Sequence, residues 1–185
     1  MYEQVSHSLL NEILIKLNPE IKQQEMRHFY TRLGANFYAI HSLFSLLYGD
    51  RDDFEAQALC LVEAMARQYI ARSKKLKKKD IEREKDHNWF LSQKWVGMAL
   101  YTDGFAGNLQ GLTQKLHYFQ ELGVNMIHIM PILQCPAGKR DGGYAVSDFR
   151  RVDSRIGSNE DLKELSESLK KRDILLTLDV VVNHT

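Results

Sequence analysis

Between residue 91 and the C-terminal Thr185, short apolar runs alternate with segments whose apolar residues recur at helical spacing. That alternation constrains the fold more than any other feature, because each pattern suits only one kind of backbone. WVGMALYTDGF (95–105) and VNMIHIMPIL (124–133) read as strands, mostly apolar, as expected of strands covered on both faces. Between them, NLQGLTQKLHYFQELG sets Leu109, Leu112, Leu116, Phe119 and Leu122 along one helix and ends at Gly123. SNEDLKELSESLKKRD repeats the pattern with Leu162, Leu165 and Leu169, behind an S-x-x-D cap made by Ser158 and Asp161. ILLTLDVVV (174–182) is the third strand. The order is β-α-β-α-β with short helix-to-strand joins, which requires parallel strands and right-handed crossovers.

One connection is out of scale. From Pro131 to Gly157, roughly 25 residues join the second strand to the second helix, where about 2–6 would be usual. It leaves the C-terminal end of a parallel strand, where ligands sit in barrels and in open α/β sheets alike. Its core is CPAGKRDGGYAVSDF. Gly142 and Gly143 allow a sharp bend, with Asp141 and Tyr144 on either side of it.

The first 90 residues have a different texture, with Pro only at Pro19 and few Gly. Leu9, Leu10, Ile13, Leu14 and Leu17 form one helical stripe; Phe54, Ala58, Leu59, Val62, Met65, Ala66 and Ile70 form another. Gly49 closes an apolar helix, and Asp52 with Glu55 resembles a capping box. The charge run SKKLKKKDIEREKDH (73–87) could bind anions. Acidic residues interrupt it and no aromatics interleave it, so a solvated helix or linker is expected.

Charge narrows the partners. Lys+Arg total 25 and Asp+Glu 24, so nothing global attracts nucleic acid or an anionic membrane, and neither partner is expected. No run approaches the ~18 apolar residues of a membrane span. The N-terminus has no basic leader followed by an apolar core. Cys60 and Cys135 lie far apart outside any C-x-x-C, and two reduced thiols in a cytoplasm are expected rather than a disulfide.

The last residues, DVVVNHT, put polar groups at a strand's C-terminal end. Period two places Asp179, Val181 and Asn183 on one face, and Val180, Val182 and His184 on the other. A regular strand therefore cannot aim both Asn183 and His184 into one site, so the chain should leave the sheet near Val182. His184 could bond sugar hydroxyls, transfer protons or hold a metal; it could equally be bland surface. Asp179 could be a structural carboxylate that orients a neighbour. His128, in mid-strand, is most simply a core histidine, and His117 a surface one. The turn TDGFAGNL lacks G-x-G-x-x-G, which argues against a doubly wound nucleotide binder. Zinc and serine-hydrolase motifs are also lacking.

Taken together, MPILQCPAGKRDGGYAVSDFRRVDSRIGSNEDLKEL and the later DVVVNHT resemble the amylosucrase branch of glycoside hydrolase family 13. DVVVNH matches that family's D-x-x-x-N-H signature at the end of barrel strand three. The resemblance is close over about residues 89–185; the front resembles the amylosucrase N-terminal domain only in helical character and position. It implies an α/β fold: a helical N-terminal domain (1–88), then the first three β/α units of an incomplete TIM (β/α)8 barrel (89–185).

The resemblance also implies roles. Asp141 is similar to the acidic residue at the bottom of the glucose pocket, and Tyr144 to the aromatic platform under the glucosyl ring. His184 is similar to the histidine that bonds that ring, and Asp179 to the carboxylate supporting the site from behind. Asn183 often contributes to a calcium site in α-amylases. The amylosucrase branch does not generally depend on that ion, so no metal and no cofactor are expected.

The implied reaction is a retaining displacement on sucrose that releases fructose and passes glucose to an α-1,4-glucan; the alternative is a sucrose hydrolase, which passes it to water, or another α-glucosidase of the same family. Its nucleophile and general acid, about 5–5.5 Å apart in retaining enzymes, follow strands four and five of the family's barrel. A barrel of roughly 250 residues is only begun in this chain, so these 185 residues alone are expected to be inactive. A non-catalytic interaction module or pseudogene product is the alternative if the gene ends at Thr185.

Overall fold

The computed structural model describes residues 23–184 together with Ser8, Asn11, Glu12 and Ile15. The expected stripe from Leu9 to Leu17 lies outside the described residues. The chain divides into two compact units, one up to Asp86 and one from His87.

In the first unit, α1 (Gln23–Tyr48), α2 (Phe54–Ala71) and α3 (Lys74–Glu84) follow one another. Met26, Phe29, Leu33 and Phe37 of α1 recur every three or four residues and bury one face. They form one buried cluster with Ala58, Val62 and Ala66 of α2. The stripe expected on α2 is narrower than its sequence suggests, because Met65 and Ile70 are exposed.

Gly49 ends α1 and donates its N–H to the Ser45 carbonyl at 2.8 Å. A Cβ there would sit 2.5 Å from the same oxygen, so the turn excludes a side chain. The expected capping box of Asp52 and Glu55 does not form. Asp53 is the N-cap residue, and its carboxylate is occupied by Arg51 and Gln57. The charge run forms α3, capped by Ser73 and with no buried residue, as a solvated helix should be. Arg72 of the preceding turn bonds Asp80 at 2.7 Å, and Glu84 bonds His28 of α1 at 2.8 Å.

In the second unit the strands are β1 (Gly97–Leu100), β2 (Met126–Ile129) and, last in the chain, β5 (Leu175–Leu178), paired in parallel in the order β1-β2-β5. This is the expected α/β architecture, a mixed helix and strand arrangement consistent with part of a (β/α)8 barrel. Thr102–Ala106, expected as the end of the first strand, is instead a short helix, α4, and the single helix expected over 108–123 is two, α5 (Leu109–Gln114) and α6 (Leu116–Glu121), broken at Lys115. Leu109, Leu112, Leu116 and Phe119 are in the core, whereas Leu122 is exposed. The later helix, α7 (Asn159–Lys171), has the complete capping box of Ser158 and Asp161.

The long connection is not structureless. Within it, β3 (Leu133–Gln134) and β4 (Asp148–Val152) pair antiparallel across a register irregularity, with a 3-10 turn at Asp141–Gly143 between them.

The two faces of the parallel sheet differ. Met98, Leu100, Ile127, Ile129, Leu176 and Leu178 pack into the core formed with the helices. The alternate residues, Ala99, His128 and Thr177, lie level with one another on the opposite face and remain partly or fully exposed. The expectation of strands covered on both faces is therefore corrected: here the helices cover one. The third strand is also shorter than expected. It stops at Leu178, and Asp179 to Val182 have left the sheet after a last backbone bond from Asp179 N–H to Ile129 O at 3.3 Å.

Candidate active site

The open face ends in polar residues at the C-terminal edge of the strands. His128 is the next-to-last residue of β2, level with Thr177 of β5. Asp179 lies two residues beyond Thr177, diagonally across from His128. The imidazole Nε2 of His128 is 2.7 Å from Asp179 Oδ1. Tyr144 donates its phenol O–H to Asp179 Oδ2 at 3.0 Å. His184 places its Nε2 3.2 Å from the Tyr144 backbone carbonyl. Residues from β2, the long connection and the C-terminal segment thus meet in one hydrogen-bonded chain.

Two glycines let the connection reach the sheet. Gly142 (φ 66°) and Gly143 (φ 98°) are in the left-handed region. A Cβ on Gly143 would lie 2.6 Å from the Pro131 carbonyl oxygen, so only glycine lets the Tyr144 backbone pass that close to the end of β2. Asp141 shares the left-handed conformation at φ 45°, one that short polar side chains tolerate better than most.

The base of the connection is held by a second carboxylate. Asp153 is 1% exposed. It accepts from Arg155 at 2.6 and 2.8 Å and from the backbone N–H groups of Arg155 and Cys135 at 3.0 and 3.3 Å. Arg155 is the chief reason its carboxyl is held down at about 2. Arg140, one residue before Asp141, donates to Asp103 at 3.1 Å and so ties the connection to α4.

Electrostatics follow the contacts. The hydrogen bond from His128, helped by Tyr144, holds the Asp179 carboxyl below the ordinary carboxylate range against the opposing effect of burial. The Tyr144 phenol is pushed up, first because its proton is held by Asp179. An ionised Asp179 can only accept, so both neighbours present N–H or O–H to it.

The sequence-derived residues therefore divide. Tyr144, Asp179 and His184 come together. Asp141 is exposed at the start of the 3-10 turn, where its backbone carbonyl receives the Tyr144 N–H at 3.0 Å while its side chain stays outside the network. Asn183 is exposed and also outside it. His128 is corrected: it is not a core histidine but a half-buried partner of Asp179. Its signal lay in strand parity, since Ile127 and Ile129 face the helices and His128 must face the other way. Only the pairing register showed which residue it meets there.

A catalytic-domain model of the alpha-amylase family matches residues 44–185, starting inside α1 and well before the first strand, where the motifs alone suggested about residue 89. An alpha-glucosidase from Schizosaccharomyces pombe is 45% identical over 83 residues, which cover 45% of this chain and 14% of that protein. An oligo-1,6-glucosidase from Bacillus sp. strain F5 is 40% identical over 106 residues, covering 51% and 20%. The solved structure of the trehalulose synthase MutB from Pseudomonas mesoacidophila MX-45 is 37% identical over 50% of this chain and 17% of that one, with a TM-score of 0.45. The chain spans a fifth or less of the length of these relatives. It belongs to the alpha-amylase catalytic-domain family, glycoside hydrolase family 13.

Proposed function

We propose that this chain forms the glucosyl-binding rim of an amylosucrase-like enzyme that acts on sucrose in the cytoplasm. The reading divides the chain into a helical domain (1–88) and the start of the catalytic barrel (89–185). Sucrose is the donor and an α-1,4-glucan the acceptor. The observation that carries it is the meeting of Tyr144, Asp179 and His184 at the C-terminal edge of a parallel sheet, the edge at which barrel enzymes hold their substrates.

In this reading Tyr144 offers its ring to the C–H face of the glucosyl unit. His184 and the exposed Asp141 meet its hydroxyls. Asp179 supports Tyr144 from behind, and Asn183 stays peripheral. No nucleophile and acid pair is assigned within the 185 residues; in the retaining mechanism that pair protonates the leaving fructose and holds the β-glucosyl ester. Sucrose should therefore bind this chain without being cleaved. Isothermal titration with sucrose, repeated on Tyr144→Ala, tests the binding. Fructose release by these residues alone, above a buffer blank, would refute the assignment.

A second reading is hydrolysis of an α-glucoside, favoured by the relatives described as alpha-glucosidase and oligo-1,6-glucosidase. Joining the chain to the rest of a family barrel and scoring glucan against free glucose separates the two.

A further inference from the structure

We propose that His128 is a positioning residue for the sugar site, holding the Asp179 carboxylate in the orientation that locks the Tyr144 ring at the rim. This rests on the reading of the rim as a glucosyl site. The geometry is a relay. His128 Nε2 occupies one oxygen of Asp179 at 2.7 Å, and the Tyr144 hydroxyl occupies the other at 3.0 Å. Each Asp179 oxygen thus accepts from one neighbour, so the carboxylate is held between His128 and Tyr144. His184 holds the other end of the same residue by its backbone carbonyl at 3.2 Å, so Tyr144 is gripped at phenol and main chain together.

His128 is suited to this because its neighbours Ile127 and Ile129 are fully buried in the helix-facing core. The strand is pinned through them, and the imidazole therefore projects from a rigid base on the open face. Asp179 lies just past the end of β5, where its N–H makes the last backbone bond to the sheet, to Ile129 O at 3.3 Å, and its side chain is fixed by His128 and Tyr144. A carboxylate with one free oxygen could rotate and release the phenol. The relay also sets a proton: because Asp179 is ionised, His128 must carry its hydrogen on Nε2.

Two measurements on the 185-residue chain test this. Long-range 15N–1H NMR near neutral pH should show His128 protonated at Nε2. A neutral ring with its proton on Nδ1 and a bare Nε2 would overturn the proposal. Second, 13C-tyrosine labelling should place Tyr144 identically in the native chain and in His128→Gln, whose amide N–H has a similar reach. His128→Phe should move the Tyr144 resonances and lower its phenol titration, as Asp179→Asn should, and should weaken sucrose binding about tenfold, as expected for losing a hydrogen bond to a charged group.

An unmoved Tyr144 in folded His128→Phe defeats the positioning role whatever sucrose does. If the native chain binds no sucrose while Tyr144 still responds to His128→Phe, the glucosyl reading fails and the positioning role stands. Should His128→Phe not fold, the native tautomer decides.

Discussion

Two aspartates, Asp153 at the base of the long connection and Asp179 just past the end of β5, use their carboxylates differently. Asp153 is buried, paired with Arg155, and saturated by backbone N–H groups. Arginine keeps its charge at any ordinary pH, so this contact is permanent and serves to shape the connection. Asp179 is half-buried and paired with a histidine and a tyrosine, groups that can change protonation or exchange partners. The partner, more than the carboxylate, separates a structural lock from a site. Both lower an aspartate's pKa; only the second leaves chemistry within reach of solvent.

The largest effect should come from breaking the lock. Asp153→Ala leaves two N–H groups and a guanidinium without their acceptor and should cost about 3 kcal/mol in urea unfolding. The same carboxyl predicts a pH dependence. Its folded value of about 2 lies below the unfolded 3.8, so its stabilisation is complete above the unfolded value and is lost as pH falls toward 2. That contribution amounts to about 2 kcal/mol, and it should be missing from the acid limb of Asp153→Asn.

Next comes the link between the two regions. Gly143→Ala meets the Pro131 carbonyl at 2.6 Å in a backbone conformation that disfavours a side chain. It should cost about 2 kcal/mol and also displace Tyr144, so sucrose binding should fall with stability. A folded Gly143→Ala of native stability would separate the connection from the site.

Tyr144→Phe keeps the ring and removes only its bond to Asp179. Sucrose affinity should drop several-fold while Tyr144→Ala abolishes it, and calorimetric titration of both sharpens the assignment of ring against hydroxyl. The smallest effect is expected at Asn183→Ala. The side chain is exposed and outside the network, so stability should stay within about 0.5 kcal/mol in the same urea assay.

Much of this was legible from pattern. The leucine spacing of α7 and its Ser158–Asp161 box are local features, and local features survive folding unchanged. The same holds for the strands at 97–100, 126–129 and 175–178, although their ends were read too long. Thr102–Ala106 begins a helix, and Asp179 leaves the sheet, because apolar character continues past the last paired residue. The single helix expected at 108–123 failed at Lys115 for a similar reason: apolar spacing runs smoothly across a backbone break it does not detect.

The amino-acid order fixed the alternation of strands and helices and the position of the long connection. Each of these depends on neighbours within a few residues. Tertiary structure alone decided that Asp179, not Asp141, would hold the Tyr144 phenol, and that His128 would turn from the core to grip it. Those contacts join residues 35 and 51 positions apart, and they exist only once strand register places separate segments at one edge.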